Sequence, residues 1–271
     1  MKEKKIGNHV VLLIGAVLMI VPFLWMVSTS LKTYGEAMQV PPSIIPKAWN
    51  FGNYVDVFAS VDFLKYYVNT IIITLGRTLA QLFLCSLAAF AFARLAFPGK
   101  NIIFIAILSV LMVPPQVILI PNYAILSQLG WIDTFYALIV PGMFSAFGVF
   151  LLRQFFMGIP KELDEAATMD GCSFFGIYWR IILPNATPAL MALGIFTILA
   201  SWNDFLWPLV MTNSESMRVL SVGIASFQGQ YSTNYPLLMA GAVMSTIPML
   251  IMFIFLQKHL IAGIALQGVR R

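Results

Sequence analysis

Six runs of about twenty mostly apolar residues recur along this chain, and they restrict its fold more than any other feature. A helix that rises about 1.5 Å per residue needs roughly 20 apolar residues to cross the hydrocarbon core of a bilayer. Because lipid offers no hydrogen-bond partners, the backbone of each run has to be helical. The pattern therefore predicts an all-α polytopic membrane protein with six transmembrane helices. The predicted spans are residues 9–31, 66–93, 102–121, 134–152, 188–210 and 236–256.

Composition excludes the other broad classes of protein. Of the 271 residues, 60% are hydrophobic and only 10% are charged, whereas soluble domains average about 45–50% and 25%. The 14% aromatic content also argues against disorder. The first run follows a basic N-terminus, as in a signal peptide. It is long for one, and no small-residue cleavage pattern follows it, so we expect an uncleaved first span.

The basic residues predict the orientation of these spans. With both termini in the cytoplasm, eleven Lys and Arg residues fall on the cytoplasmic side and four on the outside, with Arg77 inside the second span. This bias follows the positive-inside rule for a multi-pass protein of the bacterial cell membrane. The net charge of +5 is therefore an orientation signal and does not indicate nucleic-acid binding. The cytoplasmic residues are Lys2, Lys4, Lys5, Arg94, Lys100, Arg153, Lys161, Arg180, Lys258, Arg270 and Arg271, and the external ones are Lys32, Lys47, Lys65 and Arg218.

The largest cytoplasmic loop of this topology, residues 156–183, predicts two short helices joined by a sharp turn. Acidic residues near Pro160 favour the positive end of a helix dipole, so we expect a helix over residues 161–170. Gly171 fits the left-handed position that follows a helix. Ser173 can cap a second helix, which we expect to end at Pro184.

One face of the first of these helices carries small residues. Leu163, Ala166, Ala167 and Asp170 follow the i, i+3, i+4, i+7 spacing. The two alanines let another backbone or side chain approach closely. A face of this kind suits docking into a groove of a partner. A connector that packs on its own helical bundle would show the same pattern of residues.

The loop resembles the Glu-Ala-Ala loop of binding-protein-dependent ABC importer permeases. That pattern is Glu-Ala-Ala, three residues, Gly, and later Leu-Pro. It stands here as Glu165-Ala166-Ala167, Gly171 and Leu183-Pro184. The resemblance implies that this helix is a coupling helix, which sits in a cleft of the cytoplasmic ATPase and uses Leu163, Glu165, Ala166, Ala167, Asp170 and Gly171.

Other stretches are similar to permeases of the maltose and multiple-sugar group. They are RLAFPGKN at residues 94–101, the segment 113–141, SWNDFLWPLV at residues 201–210 and the tail from Leu260. The tail resembles the MalG-type subunit, although residues 263–267 depart from its usual sequence. The resemblance implies a single permease domain of the type I importer (MetI-like) fold over residues 1–271. It also implies a second homologous permease, two ATPases and an external solute-binding protein, with a carbohydrate as substrate.

The chain has no energy source of its own. No G-x-x-x-x-G-K-[ST] loop is present, since Gly99-Lys100 is followed by Asn101 without the upstream glycine. We therefore expect a non-catalytic permease without a cofactor, whose partner ATPase binds ATP and Mg. The alternatives are an ABC permease for glycerol phosphate or another small solute, and an ion-coupled secondary transporter. The latter class usually carries intramembrane acidic residues, and Asp204 stands nearly alone here.

Two charges lie at membrane depth in the predicted spans. Arg77 and Asp204 would each cost about 2.5–3.5 kcal/mol at the bilayer centre, so we expect both to avoid lipid. They either line a polar pathway or gate, with Trp202 and Asn203 beside them, or have a structural role, as a buried interhelical pair or, for Arg77, by snorkelling to the interface. Side chains that suit a sugar, by hydrogen bonding or by aromatic contact, are Asn122, Tyr123, Asn203 and Trp207, although membrane aromatics more often pack or anchor.

Three further segments are predicted to meet water. The external residues 32–65 are rich in turn formers and aromatics. The external residues 213–235 could contact the binding protein or could equally be a solvated connector. Pro114 and Pro115 should kink the third span. The tail, residues 257–271, could reach the ATPases or anchor on anionic lipid.

Overall fold

A computed structural model describes residues 2–229 and 232–268, and the side chains of residues 7–229 and 232–257 within them. The fold is helical throughout this part of the chain. The side chains of Lys2, Lys4 and Lys5 and those of the predicted tail contact lie outside the described residues. The α-helices are α1 (Lys2–Ser30), α2 (Tyr34–Ala37), α3 (Gly52–Ser60), α4 (Phe63–Arg94), α5 (Lys100–Ser109), α6 (Leu119–Gln128), α7 (Phe135–Ile139), α8 (Ala146–Met157), α9 (Glu162–Met169), α10 (Phe174–Ile177), α11 (Leu183–Asn185), α12 (Thr187–Trp202), α13 (Leu206–Met211), α14 (Leu220–Ala225) and α15 (Tyr235–Gly268).

Four helical stretches among the described residues are long and apolar enough to cross a membrane. They are Gly7–Ser30, Phe63–Arg94, Phe135–Met157 and Tyr235–Gln257. A fifth arises if Phe174–Asn185 and Thr187–Trp202, which meet at a bend of 76°, count as one span. The first, second, fourth and sixth predicted spans thus correspond to helical stretches of sufficient length.

The third and fifth predicted spans are each divided into separate helices, and the fourth is interrupted between α7 and α8. The apolar helix Lys100–Met112 ends at Val113, whose extended backbone (φ −89°, ψ 118°) is the conformation expected before a proline. The Pro114-Pro115 pair thus interrupts the helix, and α6 begins only at Leu119. The fifth span ends as α12 at Trp202 and resumes as α13 at Leu206. The predicted kink of the third span at Pro114-Pro115 is confirmed, and the structure shows a complete break of the helix there.

Two compact units divide the chain, and neither is continuous in sequence. The first combines Met1–Tyr67 with Val219–Ile251, and the second combines Val68–Arg218 with Met252–Arg271. The prediction of one permease domain over residues 1–271 stays a prediction.

In the first unit, the segment after α1, predicted to be external, completes the hydrogen bonding of that helix. A helix end leaves its last carbonyls without partners. Asn53 Nδ2 donates to Ser30 O and Lys32 O, both at 2.8 Å, and Asn50 N donates to Leu31 O at 2.8 Å. The predicted external segment is thus a folded cap and not a loose linker.

A buried polar cluster closes this cap. Lys32, which is only 1% exposed, donates from Nζ to Ser43 O at 2.5 Å and lies 4.5 Å from the centre of the Trp25 ring. Glu36 Oε1 accepts from the Ser43 hydroxyl at 2.8 Å and from Lys47 N at 2.9 Å. The bonds from Lys47 N and from Ser43 hold the pKa of Glu36 below its usual range, against the opposing effect of burial.

This cluster predicts a pH-dependent cap. The folded-state pKa of Glu36 is depressed, so its contribution to stability is present above the unfolded pKa and is lost as the pH falls through the folded pKa. We expect hydrogen-exchange protection of the Lys47 amide, corrected for intrinsic rates, to fall over that window. Glu36→Gln, whose amide oxygen can still accept the Lys47 N–H, should remove the pH dependence. The same pH profile in both chains would contradict this assignment.

In the second unit, the core lies around the C-terminal half of α4. Tyr178 is buried there, and its hydroxyl bonds the Ser86 hydroxyl at 2.7 Å. Residues Tyr178–Ile182 form a π-helical turn just before Pro184, which cannot donate to the carbonyl of Arg180. The second loop helix therefore continues through the proline to Asn185, later than predicted. The main buried residues are Cys85, Ala89, Phe90, Val149, Leu152, Phe156, Ala167, Ile177, Ile182 and Leu193.

A polar clamp orders the turn before α7. Asp133 adopts a left-handed backbone with φ 63°, a conformation that Asp tolerates better than most residues. Its Oδ1 accepts from Asn213 N at 2.9 Å and from Ser214 N at 3.0 Å, and its own N–H donates to Met211 O. Burial opposes ionisation, but the bonds from Ser214 and Asn213 lower the pKa of Asp133 overall.

Candidate functional site

The break between α7 and α8 leaves backbone carbonyls without helical partners in the middle of an apolar stretch. Pro141 has no N–H to offer the carbonyl of Ala137, four residues earlier. The indole Nε1 of Trp207 donates to this carbonyl instead, at 3.0 Å. Trp207, predicted as an aromatic contact for a sugar, therefore also has a structural role.

Helix α4 supplies donors for the other carbonyls of the break. Arg77 Nε donates to Leu138 O at 2.6 Å, and Gln81 Nε2 donates to Gly142 O at 2.7 Å. Residues four apart share one helix face, so Arg77 and Gln81 serve the break from a single stripe. Irregular backbone at membrane depth is tolerated where protein groups satisfy it in this way.

Arg77 and Asp204 form the buried interhelical pair that was one of the two predicted alternatives. Arg77 Nη1 lies 2.9 Å from Asp204 Oδ2, and their side chains are 10% and 23% exposed. Asp204 Oδ1 also accepts from the backbone N–H of Trp207 at 3.3 Å. The arginine thus connects the break after α7 to the break after α12, which explains how both charges are tolerated at this depth.

Gly142 makes room for the arginine. A Cβ atom at this position would lie 2.8 Å from Arg77 Nε and 3.0 Å from Arg77 Cδ. These distances are too short for unbonded atoms, so the guanidinium can lie across the break only because residue 142 has no side chain.

Two cavities meet at this pair. The first, of about 370 Å³, is lined by the residues Arg77, Pro115, Gln116, Ile118, Leu119, Asn122, Pro141, Gly142, Asp204, Leu206 and Trp207. The second, of about 280 Å³, is lined by Arg77, Gln81, Gly142, Ser145, Phe147, Leu193, Phe196, Thr197, Ala200, Ser201 and Asp204. Arg77, Gly142 and Asp204 line both.

The predicted pathway residues divide into two groups. Arg77, Asp204, Asn122 and Trp207 line one or both cavities. Within the described chain, Tyr123, Trp202 and Asn203 are not among the lining residues. Asn203 instead donates from Nδ2 to Leu199 O of its own helix at 2.8 Å, and Trp202 is buried.

Several residues of the site were missed by sequence reasoning. Thr197 donates its hydroxyl to Gln81 Oε1 at 2.9 Å, which extends the polar stripe across to α12. Ser201 Oγ is buried without a hydrogen-bond partner in the described part of the protein, and Ser201 lines the second cavity. The spacing of Arg77 and Gln81 on one face of α4 was the available signal for this polar stripe.

The predicted cytoplasmic helix forms as α9, and its C-terminal turn is the expected one. Gly171 has φ +80°. Its N–H donates to Thr168 O at 3.0 Å, and Cys172 N donates to Ala167 O at 2.9 Å, which is the Schellman pattern of a helix end. The Ser173 hydroxyl then caps α10 by accepting from Gly176 N at 3.3 Å, as predicted.

The two alanines of α9 face different surroundings, contrary to their treatment as one docking face. Ala167 is only 6% exposed and belongs to the core of the second unit, whereas Ala166 is exposed. Leu163, Glu165 and Asp170 are also exposed. Adjacent helix positions differ by about 100°, so one alanine packs inward while the other stays accessible.

An ion pair holds α9 against α4. Arg94 Nε lies 2.9 Å from Asp164 Oδ2, and Arg94 Nη2 donates to Ile159 O at 2.9 Å. Burial raises the pKa of Asp164, with the positive charge of Arg94 opposing the rise. One guanidinium thus fixes the helix and the chain just before it.

The two cavities offer polar and aromatic surfaces to a solute. In the described part of the chain, no group of three or more His, Cys, Asp or Glu is placed to hold a metal ion. The chemistry available at the two cavities is hydrogen bonding from neutral side chains, with one balanced pair of charges.

Solved structures share this fold. A bacterial ABC transporter involved in the import of the acidic polysaccharide alginate matches with a TM-score of 0.84 at 24% identity, over 95% of this chain and 96% of that one. The bacterial alginate ABC transporter in complex with an alginate pentasaccharide-bound periplasmic protein matches with a TM-score of 0.68 at 16% identity.

Relatives with similar sequences are permease proteins. The arabinooligosaccharides transport system permease protein AraQ of Bacillus subtilis is 36% identical over 258 residues, covering 94% of this chain and 92% of that protein. The trehalose/maltose transport system permease protein MalG of Thermococcus litoralis is 33% identical over 278 residues, covering 98% and 99%. The diacetylchitobiose uptake system permease protein NgcG of Streptomyces coelicolor is 31% identical over 268 residues, covering 97% and 88%.

The family model described as the binding-protein-dependent transport system inner membrane component matches residues 81–265. This range contains the breaks of the third, fourth and fifth predicted spans, the whole of α9 and every lining residue of the two cavities except Arg77. The match also confirms the resemblance found in the Glu-Ala-Ala loop. The chain therefore belongs to the family of inner membrane permease components of binding-protein-dependent ABC importers.

Proposed function

We propose that this chain carries a neutral, hydroxyl-rich carbohydrate, namely an oligosaccharide, through the two cavities that meet at Arg77 and Asp204. The observation that carries the proposal is their lining. Amide and hydroxyl side chains (Gln116 and Asn122 in the first cavity, Gln81 and Thr197 in the second) alternate with aromatic and aliphatic ones. Sugars present apolar ring faces and rims of hydroxyl groups, and such a lining complements both.

The charge balance of the site supports a neutral solute over glycerol phosphate. Asp204 neutralises Arg77 at 2.9 Å, so the site presents no uncompensated positive charge to a phosphate group. The same pairing argues against an ion-coupled transporter, because Asp204 is already engaged by a guanidinium. The sugars for which the relatives AraQ, MalG and NgcG are named, all oligosaccharides or disaccharides, agree with this choice.

Coupling to ATP is assigned to the exposed side of α9. Leu163, Ala166 and Asp170 are accessible there, while Ala167 and the Arg94–Asp164 pair anchor the opposite side to the bundle. A helix fixed in this way moves as a rigid body with its bundle, which is what transmission of force requires. Ala167 and Gly171 thus act by positioning the helix.

The proposed assembly contains this chain, a second homologous permease, two cytoplasmic ATPases that bind ATP and Mg, and an external solute-binding protein. The chain lies in the bacterial cell membrane in contact with lipid, with both termini in the cytoplasm, as the distribution of Lys and Arg predicts. A carbohydrate enters from the binding protein, and this chain has no catalytic residue of its own.

Uptake by the reconstituted assembly tests the proposal. We expect proteoliposomes that contain the partner subunits encoded with this chain to take up arabino-, chito- or malto-oligosaccharides only with internal ATP and the binding protein. An ionophore should leave the initial rate unchanged. Uptake that survives ATP depletion but collapses with the ionophore would favour a secondary transporter, and uptake of glycerol phosphate alone would favour the other alternative.

A further inference from the structure

We propose that the Arg77–Asp204 ion pair is the barrier between two consecutive parts of one pathway. The inference rests on the proposed function, because it needs a solute that moves through both cavities. The cavities share Arg77, Gly142 and Asp204 as lining residues, so the pair lies at the boundary between them. Opening the pair would join the two spaces.

The order of residues along two helices places the cavities one after the other. On α4, the first cavity is lined by Arg77 only, whereas the second also takes in Gln81, one turn further along. Within α12, Thr197 and Ala200 line the second cavity. Beyond the end of this helix, Leu206 and Trp207 line the first cavity. Both segments therefore place the ion pair between the first cavity and the second cavity.

The pair is suited to closing the passage because it is anchored on both sides. Arg77 is held by Leu138 O at 2.6 Å and by Asp204 Oδ2 at 2.9 Å, and Asp204 is held by Trp207 N. Gly142 leaves the space in which the guanidinium lies. The side chain thus bridges the gap between the two broken helices.

The same groups allow a hydroxylated solute to open the barrier. Each hydroxyl both donates and accepts hydrogen bonds, so it can replace Arg77 as a donor to Asp204 and replace Asp204 as an acceptor for Arg77. Beyond the pair, Ser201 Oγ is buried without a partner in the described residues and lines the second cavity. In the second cavity, this hydroxyl is available to bond a permeating hydroxyl.

Two-sided thiol labelling tests the barrier without any transported solute. In the full complex, in a chain that carries Cys85→Ala and Cys172→Ala, we introduce either Gln116→Cys (first cavity) or Ala200→Cys (second cavity). A membrane-impermeant maleimide is applied to right-side-out and inside-out vesicles without ATP. We expect the two cysteines to be labelled from opposite sides. Asp204→Asn or Gly142→Ala should raise labelling from the formerly closed side at least tenfold.

The controls separate a barrier from a general loss of structure. Asp204→Glu, which keeps the charge, should preserve the protection, as should Asp56→Asn on the exposed side of α3. Co-purification with the partner subunits shows that each variant is assembled. Labelling of both cysteines from the same side with the pair intact would overturn the proposal, as would unchanged protection in both Asp204→Asn and Gly142→Ala. Because no sugar is used, failure of the proposed substrate class would not alter this result.

Discussion

Replacing Asp204 with leucine is expected to lower the apparent Tm of the purified protein by about 6–20 °C. The substitution leaves the Arg77 guanidinium charged and buried without its carboxylate, and breaking a buried pair in this way costs about 3–5 kcal/mol. For chains of about 150–250 residues, each 1 kcal/mol shifts Tm by about 2–4 °C. Thermal unfolding in detergent, followed by tryptophan fluorescence, measures the change.

Two further variants show whether the effect comes from the pair. Asp56→Leu removes an exposed carboxylate from α3 and should change stability by no more than about 0.5 kcal/mol. In the double variant Arg77→Met with Asp204→Leu, the loss should be smaller than in Asp204→Leu alone, because no unpaired charge remains. A Tm drop in Asp204→Leu no larger than that in Asp56→Leu would show that the pair does not stabilise the fold.

Replacing Gly171 with valine is expected to reduce ATP-driven uptake by about 5–30-fold while leaving the chain inserted in the membrane. Residue 171 has φ +80°, a conformation that costs an L-residue about 1–2 kcal/mol, and more when the side chain is β-branched. A penalty of about 1–2 kcal/mol changes the ratio of two conformations by about 5–30-fold. Initial uptake rates of the reconstituted complex, normalised to the amount of ATPase bound, measure it.

Gly171→Asn provides the matched control, because Asn tolerates the left-handed region. A Cβ at position 171 meets no atom within 4 Å, so a clash cannot explain a difference between the two variants. We expect Gly171→Asn to keep most of the uptake rate. Equal rates in the valine and asparagine variants would show that the turn after α9 does not depend on backbone strain.

Local features of this chain were predictable because neighbouring residues determine them. The extent of α9, the left-handed Gly171 and the cap at Ser173 follow from helix-end chemistry within a few residues. The long apolar helices follow from the length of their runs. The break at Pro114-Pro115 was also visible, although its full effect, the loss of a continuous third span, was not.

The different burial of Ala166 and Ala167 was not predictable from neighbouring residues. Helix periodicity places both on one broad face, but only the packing of the bundle decides which part of that face is covered. Ala167 is buried and Ala166 is exposed, so the exposed part of this small-residue face is narrower than the pattern indicated. The prolongation of α10 and its continuation through Pro184 likewise depend on a π-helical turn that the sequence did not reveal.

By itself, the sequence determined the membrane class, the family resemblance, the two short helices of the Glu-Ala-Ala loop and the need to shield Arg77 and Asp204. Only the tertiary structure decided that these two residues, 127 positions apart, pair with each other at the junction of two cavities. It also decided that Trp207 and Gln81 satisfy carbonyls released by the break at Pro141. The physical reason is that a helix fixes the groups within one turn of each other, whereas partners across a bundle depend on how the broken helices pack.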